Sequence, residues 1–197
     1  MNKPFIIGIF GPIGSGKSTV ASLFREKGFV SWDADEAVSK LYMAGGAGAK
    51  KIGEFFGYQF LMKDGSVSRK KLGRLVLSHP AKMRILEHII HPLVVNDAQH
   101  WIDEQKKLGN FHIVLESAAF EPADLGRFPD IFLRVTSDES LCRERVLARG
   151  KDDAYFNAML HNFRDYKTDH EIVNNGSLED LKKVFEKVFA SFTMNPI

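Results

Sequence analysis

The eight residues Gly11-Pro12-Ile13-Gly14-Ser15-Gly16-Lys17-Ser18 match G-x-x-x-x-G-K-[ST] at every defined position. The chemistry that this spacing serves is the binding of a phosphate chain. Backbone N–H groups must converge on phosphate oxygens, and glycines at 11, 14 and 16 allow the dihedrals and the close approach that convergence requires. Lys17 then brings an ammonium towards the β and γ phosphates, and the hydroxyl of Ser18 can ligate Mg²⁺. A glycine-rich turn could meet the pattern by chance, but here an apolar run precedes it and a helical pattern follows.

Two carboxylates come next, in Asp33-Ala34-Asp35. One of them can cap a helix beginning near Glu36-Ala37-Val38, because Asp is a favoured N-cap. One can also accept the proton of an attacking hydroxyl, or order Mg²⁺-bound water, beside a γ-phosphate. Two acids at one sheet edge repel unless a cation or a proton transfer uses them, which favours a functional reading of the pair. The two readings are compatible, one residue each. Arg145 and Arg149 are four apart and share a helix face. Spacing alone does not decide between a solvated basic stripe and guanidinium contact with a nucleotide. Cys142, in a helical pattern among Leu141, Arg143 and Arg145, reads as a packing residue rather than a reactive thiol.

These residues need a frame to hold them. Phe5 to Phe10 is a short apolar run with β-branched and aromatic residues, as expected of a strand covered on both faces of a parallel sheet. A helix from about Gly16 or Lys17 points its positive end at the same anion as the loop, and Gly28 stops it. Phe29 to Trp32, Phe111 to Leu115, Ile131 to Val135 and Glu171 to Val173 read as four further strands. Leu178 to Phe192 reads as a closing amphipathic helix. The asparagine turn Asn174-Asn175-Gly176 lies between the last strand and this helix. Residues 36–108 read as mostly helical, with a turn at Asp64-Gly65 and an expected kink or restart at Pro92. Residues 150–168 are polar and weakly amphipathic, as expected of a flap. Five strands alternating with helices predict an α/β fold with a five-stranded parallel sheet flanked by helices.

Composition narrows the options. With 27 basic and 25 acidic residues the formal charge is +2, too balanced to argue for nucleic acid or an anionic membrane. The single cysteine excludes an internal disulfide framework and a cysteine-rich metal site. The apolar start is six residues long, against the roughly 20 that a membrane helix needs, so a cytoplasmic protein is expected.

The pieces together resemble dephospho-coenzyme A kinase, a family of phosphate-loop small-molecule kinases. The resemblance rests on Gly14-Ser15-Gly16-Lys17-Ser18-Thr19-Val20-Ala21, Asp33-Ala34-Asp35, Asp64-Gly65 with Arg69 and Leu72, Leu86-Glu87 before His91-Pro92, and Ile172 with Asn174-Asn175-Gly176. It runs along nearly the whole chain and implies ATP-dependent phosphorylation of the ribose 3′-hydroxyl of dephospho-CoA, with ATP and Mg²⁺ required. It further implies that Gly11, Ile13, Gly14, Ser15, Gly16, Lys17, Ser18 and Thr19 hold the nucleotide, with Arg149 near the ATP and Asn175 near the adenine. Asp35 matches the family's base, with Asp33 alongside and Lys17 as the third catalytic group. Arg69 and His91 fall on positions of the acceptor lobe, and Arg164 closes over the phosphates. For His91, capping or packing around Pro92 is an equal alternative.

The expected organisation is a core of about 1–35, 109–149 and 170–197, an acceptor lobe of about 36–108 and a lid of about 150–168. Two departures stand out. After the third strand, Ser117-Ala118-Ala119-Phe120-Glu121 keeps the family's Phe-Glu but loses its proline and leucines, and in the lid Ala158 and His161 replace a usual Gln and an arginine. The runner-up readings are a kinase of the same architecture for a nucleoside monophosphate or small polyol, and a nucleotide-gated switch.

Overall fold

The computed structural model describes residues 3–118, 120–121, 124–161 and 163–193. Ala119 lies outside the described residues.

The apolar runs form the expected sheet: β1 (Phe5–Phe10), β2 (Val30–Asp33), β3 (His112–Glu116), β4 (Ile131–Thr136) and β5 (His170–Val173). The order across the sheet is β2-β3-β1-β4-β5. All pairing is parallel, with Ile9 opposite both Glu116 and Leu133, and Val135 opposite Ile172. The central position of β1 follows from its composition, since Ile6 to Phe10 are all buried. Strand order runs one way from β1 to β3 and β2, and the other way to β4 and β5. The carboxyl end of β1 is therefore the switch point where open α/β sheets bind ligands, and the glycine loop begins there.

Helix α1 (Lys17–Glu26) leaves the loop and buries Val20, Ala21, Leu23 and Phe24. These meet Ile7, Ile9, Leu133 and Val135 of the sheet and Leu181 and Phe185 of α8 (Leu178–Thr193) in one core. Phe24 and Phe185 cross edge to face at 4.9 Å between centroids. Burying an aromatic such as Phe24 contributes about 1.5–3 kcal/mol, and this fastens the first and last helices to one sheet face. The start of α8 is fixed locally: Ser177 Oγ donates to Asp180 Oδ2 and accepts from Asp180 N, a reciprocal cap.

The chain divides into two compact units, Met1–Trp32 with Glu104–Ile197, and Asp33–Asp103. The second holds α2 (Ala34–Leu41), α3 (Ala47–Phe56), α4 (Arg69–Leu77) and most of α5 (Pro80–Lys107). Its turn at Asp64-Gly65 closes a bridge between Leu61 and Val67, and Ser66 donates from both N and Oγ to Asp64 Oδ1. Ala49, Ile52, Leu72, Val76, Ile90 and Val94 are buried, whereas Phe55 is 65% exposed. Of the two outcomes expected at Pro92, a kink or a restart, the restart does not occur. Helix α5 is continuous over 28 residues with Pro92 inside it. A proline forfeits one backbone hydrogen bond, and the buried Ile89, Ile90, Val94 and Val95 on both sides hold the halves in one element.

In the first unit, α6 (Glu139–Ala148) follows β4 and α7 (Asp153–His161) follows α6. Phe156 of α7 is fully buried with Cys142 and Val146 of α6, and Arg143 caps this packing with its guanidinium 4.6 Å from the Phe156 ring. The chain after α7 is strapped to the sheet. Arg134 pairs with Asp165, Thr168 Oγ1 donates to Phe132 O, and Phe132 N donates to Asp169 Oδ2. Cys142 has the expected packing role, with burial pushing its thiol pKa up. Among the described residues no helix is long and apolar enough to cross a membrane.

Candidate active site

The glycine loop is folded so that side chains are excluded where its surroundings press closest. Gly16 is the N-cap of α1 at φ 101°, and a Cβ there would lie 2.3 Å from Asn174 Nδ2. Gly14 at φ 80° would place its Cβ 2.4 Å from the carbonyl oxygen of Cys142. Lys17 folds back over the loop, its Nζ donating to Gly11 O at 3.1 Å and Pro12 O at 3.2 Å. Thr19 N donates to Gly16 O in the first turn of α1, and Ile13 packs on the Cys142, Val146 and Phe156 cluster. Ser15 is fully buried, and its Oγ has no hydrogen-bond partner among the described residues. A buried hydroxyl left without a partner is costly unless something else satisfies it.

Ser18, the residue expected to ligate a metal, donates from Oγ to Glu116 Oε1 at 2.7 Å. Glu116 ends β3, is 7% exposed, and was not singled out from the sequence. The signal existed: an acid directly after a buried apolar strand, on the edge that carries the loop, is the same cue that drew attention to Asp33 and Asp35. Among the described residues no group of three or more His, Cys, Asp or Glu side chains could hold a metal by itself. Mg²⁺ does not need such a cage, since it is commonly held by one or two protein oxygens, waters and substrate phosphates. The unpartnered Ser15 hydroxyl, the glycine cradle and the Ser18–Glu116 pair therefore fit a nucleotide with its metal.

Two further residues fasten the loop from outside. Asn174, buried after β5, donates from Nδ2 to Ser15 O at 2.8 Å. Arg145 of α6 donates from Nη1 to Gly14 O at 3.3 Å and to Ser137 Oγ at 3.1 Å, and from Nη2 to Asn174 O at 3.0 Å. The two arginines that the spacing put on one face are placed differently. Arg145 is built into the loop's support, while Arg149 stands exposed at the C-cap of α6. Asn175 holds the neighbouring turn: its Oδ1 accepts from Asp138 N at 2.8 Å and its Nδ2 donates to Asp138 Oδ1 at 2.8 Å. That is a side-chain cap supplied to α6 from another part of the chain.

Arg164 is held by Glu121, the glutamate retained after β3, at 2.8 Å, and Tyr166 Oη donates to the same Oε1 at 3.1 Å. Tyr166 packs edge to face on Phe10, 5.7 Å away, at the entrance to the loop. Burial, with the Glu121 carboxylate beside it, pushes the Tyr166 pKa up to about 12.

In the second unit, Asp33 is the N-cap of α2, and its Oδ1 accepts from Asp35 N at 2.7 Å and Glu36 N at 3.3 Å. The helix therefore starts at Ala34, two residues earlier than expected. Asp35 lies in the first turn and is exposed. Its carbonyl accepts from Ser39 Oγ at 2.6 Å, and Arg69 Nη2 donates to the same Ser39 Oγ at 2.8 Å. Arg69 also stands over the Tyr42 ring at 5.4 Å. Burial pushes the Tyr42 pKa up to about 12, against the pull of the Arg69 guanidinium. One arginine thus ties the start of α4 to the helix that carries Asp35. His91 lies half-buried in α5, one residue before Pro92.

Comparison with known proteins agrees along the chain. A family model described as dephospho-CoA kinase matches residues 5–154. A dephospho-CoA kinase of Fusobacterium nucleatum is 34% identical over 188 residues, covering 92% of this chain and 95% of that protein. One from Aquifex aeolicus is 30% identical over 195 residues, covering 96% and 98%. The crystal structure of a Thermus thermophilus protein superposes with a TM-score of 0.75 at 28% identity, covering 96% of this chain and 98% of that one. The chain belongs to the dephospho-CoA kinase family, whose members catalyse the ATP-dependent phosphorylation of dephospho-CoA in the final step of coenzyme A biosynthesis.

Proposed function

We propose a division of labour for the transfer of the γ-phosphoryl group of ATP to the ribose 3′-hydroxyl of dephospho-CoA. The loop from Gly11 to Ser18, with Thr19, holds the β and γ phosphates on its backbone N–H groups, helped by the N-terminus of α1. Lys17 leaves its loop carbonyls for phosphate oxygens and neutralises charge as the bond to the leaving ADP lengthens. Ser18 and Glu116 would hold Mg²⁺, which when bound would neutralise charge on the phosphate oxygens.

The hydroxyl oxygen of the acceptor attacks the γ-phosphorus in line, the bond from that phosphorus to the β-phosphate oxygen breaks, and Asp35 takes the hydroxyl proton. Asp33 serves this step indirectly, by capping the helix that carries Asp35. The unit from Asp33 to Asp103 receives the acceptor, with Arg69 and His91 among its contacts, and Arg149 and Arg164 close over the phosphates to exclude water. For Arg164 this requires an exchange of partners, because Glu121 holds it in this structure. The enzyme works in the cytoplasm, where ATP is supplied.

The observation that carries this reading is the pairing of a glycine cradle at the switch point with an acid on the metal-binding serine, Ser18 Oγ to Glu116 at 2.7 Å. The test is Mg²⁺-dependent ADP release from ATP with and without dephospho-CoA, beside adenosine monophosphate, cytidine monophosphate and shikimate. Release stimulated by dephospho-CoA alone, with a product heavier by one phosphate, is the expected outcome. Stimulation by another acceptor would overturn the substrate.

A further inference from the structure

A loop that turns its N–H groups inward to an anion turns its carbonyl groups outward, into the protein. Each of those carbonyls needs a donor, because a buried backbone oxygen without one costs about as much as a lost hydrogen bond. Lys17 Nζ serves Gly11 O and Pro12 O, and the first turn of α1 serves Gly16 O. Gly14 O and Ser15 O lie between these and receive side chains from distant sequence. Arg145 serves the first, 131 residues away, and Asn174 the second, 159 residues away.

The two donors are also joined to each other. Arg145 Nη2 donates to Asn174 O at 3.0 Å, and Ser137 Oγ donates to the same oxygen at 2.8 Å. The result is a closed network from loop to α6 to β5 and back to the loop. It is buried at Asn174, and it fits only a glycine at position 16, where Asn174 Nδ2 lies 2.3 Å from the place a Cβ would take.

We propose that Asn174 and Arg145 are positioning residues for phosphoryl transfer: they fix the outward carbonyls of Gly14 and Ser15 and so hold the loop's N–H groups in the anion-binding orientation before nucleotide arrives. This rests on the reading that the loop holds the phosphates of ATP. Neither side chain has to touch the nucleotide. Their effect is preorganisation, since a cradle already in its bound form spends none of the binding energy on ordering itself. Asn175, next in sequence, accepts from Ser137 Oγ at 3.1 Å and otherwise bonds Asp138 at the start of α6, so it reaches this network at Ser137 and not at a loop carbonyl.

Three measurements on Asn174→Ala and Asn174→Asp test the proposal: ATP affinity by calorimetric titration with no acceptor present, hydrogen exchange of the amides of residues 13–17 in the nucleotide-free protein, and thermal stability. Losing one buried donor is expected to weaken ATP binding about tenfold in Asn174→Ala. Asn174→Asp should lose more, because a carboxylate then faces the Ser15 carbonyl. The loop amides should exchange faster in both while those of β1 do not change. Folded variants with wild-type ATP affinity and wild-type loop exchange would overturn the proposal, even if they melt earlier. If the Asn174 variants do not fold, Arg145→Lys, which keeps charge and most of the bulk but not the fork, is read by the same two criteria. Lys17→Ala is the control that separates the two ideas. If the wild type fails to bind ATP, the phosphate-loop reading itself falls. If the wild type binds, Lys17→Ala weakens binding and the Asn174 variants do not, only the brace is wrong.

Discussion

The glycine loop and the first turn of α2 both hold polar groups at the carboxyl end of a strand, and they are fixed in opposite ways. Around Asp33 the contacts are local: Asp33 caps the amides two and three residues on, and Ser39 closes on the carbonyl four residues back. A longer link comes from Arg69, thirty residues from Ser39. The loop instead draws its outside donors from 131 and 159 residues away. Local capping sets where a helix begins and leaves its first-turn carboxylate exposed. Long-range bracing sets the shape of a loop whose own residues, rich in glycine, would not keep it. A general base needs an accessible oxygen, whereas an anion cradle needs a rigid one.

Substitution of the chemical groups themselves should give the largest effects. Lys17→Ala and Asp35→Asn are each expected to lower kcat by about 10² or more while circular dichroism and melting temperature stay near wild type. A variant with normal turnover would remove its residue from the mechanism and the corresponding half of the contrast. Next in size, Glu116→Gln keeps the bond from Ser18 but removes a charge. The Mg²⁺ concentration for half-maximal activity should rise by about tenfold or more, as outer-sphere ligands typically affect metal affinity, and an unchanged Mg²⁺ dependence would exclude Glu116 from the metal's shell. Asp33→Ala should cost about 1 kcal/mol of stability, the value of an N-cap, and should reduce kcat far less than Asp35→Asn. Equal losses of kcat for the two aspartates would mean that Asp33 is itself a reacting group rather than the cap that holds the helix.

The amount legible in the sequence differed between elements for physical reasons. The central strands β1 and β3 announced themselves because the middle of a parallel sheet buries both faces and so writes continuous apolar runs such as Phe5 to Phe10, whereas β2 and β5 at the edges are only partly buried. The loop announced itself because its spacing is imposed by the shape of a phosphate chain. Glu116 was passed over as the end of a strand, although its place beside Ser18 follows from the register of Ile9 opposite Glu116. At Pro92 the restart did not occur, because a lost hydrogen bond is visible in sequence and the packing that offsets it is not. Phe55 of α3 is exposed although Ile52 on the same helix is buried, since periodicity marks a face without saying what covers it.

The sequence by itself therefore determined the parts whose information is local or periodic: strands, helices, the cradle motif and the candidate base after β2. Only the tertiary structure decided which of two adjacent asparagines holds the loop, which of two arginines on one face supports it, and which acid meets Ser18. Those choices depend on strand order and register, which bring residues 98, 131 and 159 positions apart within hydrogen-bonding distance, and no local pattern in the chain encodes that meeting.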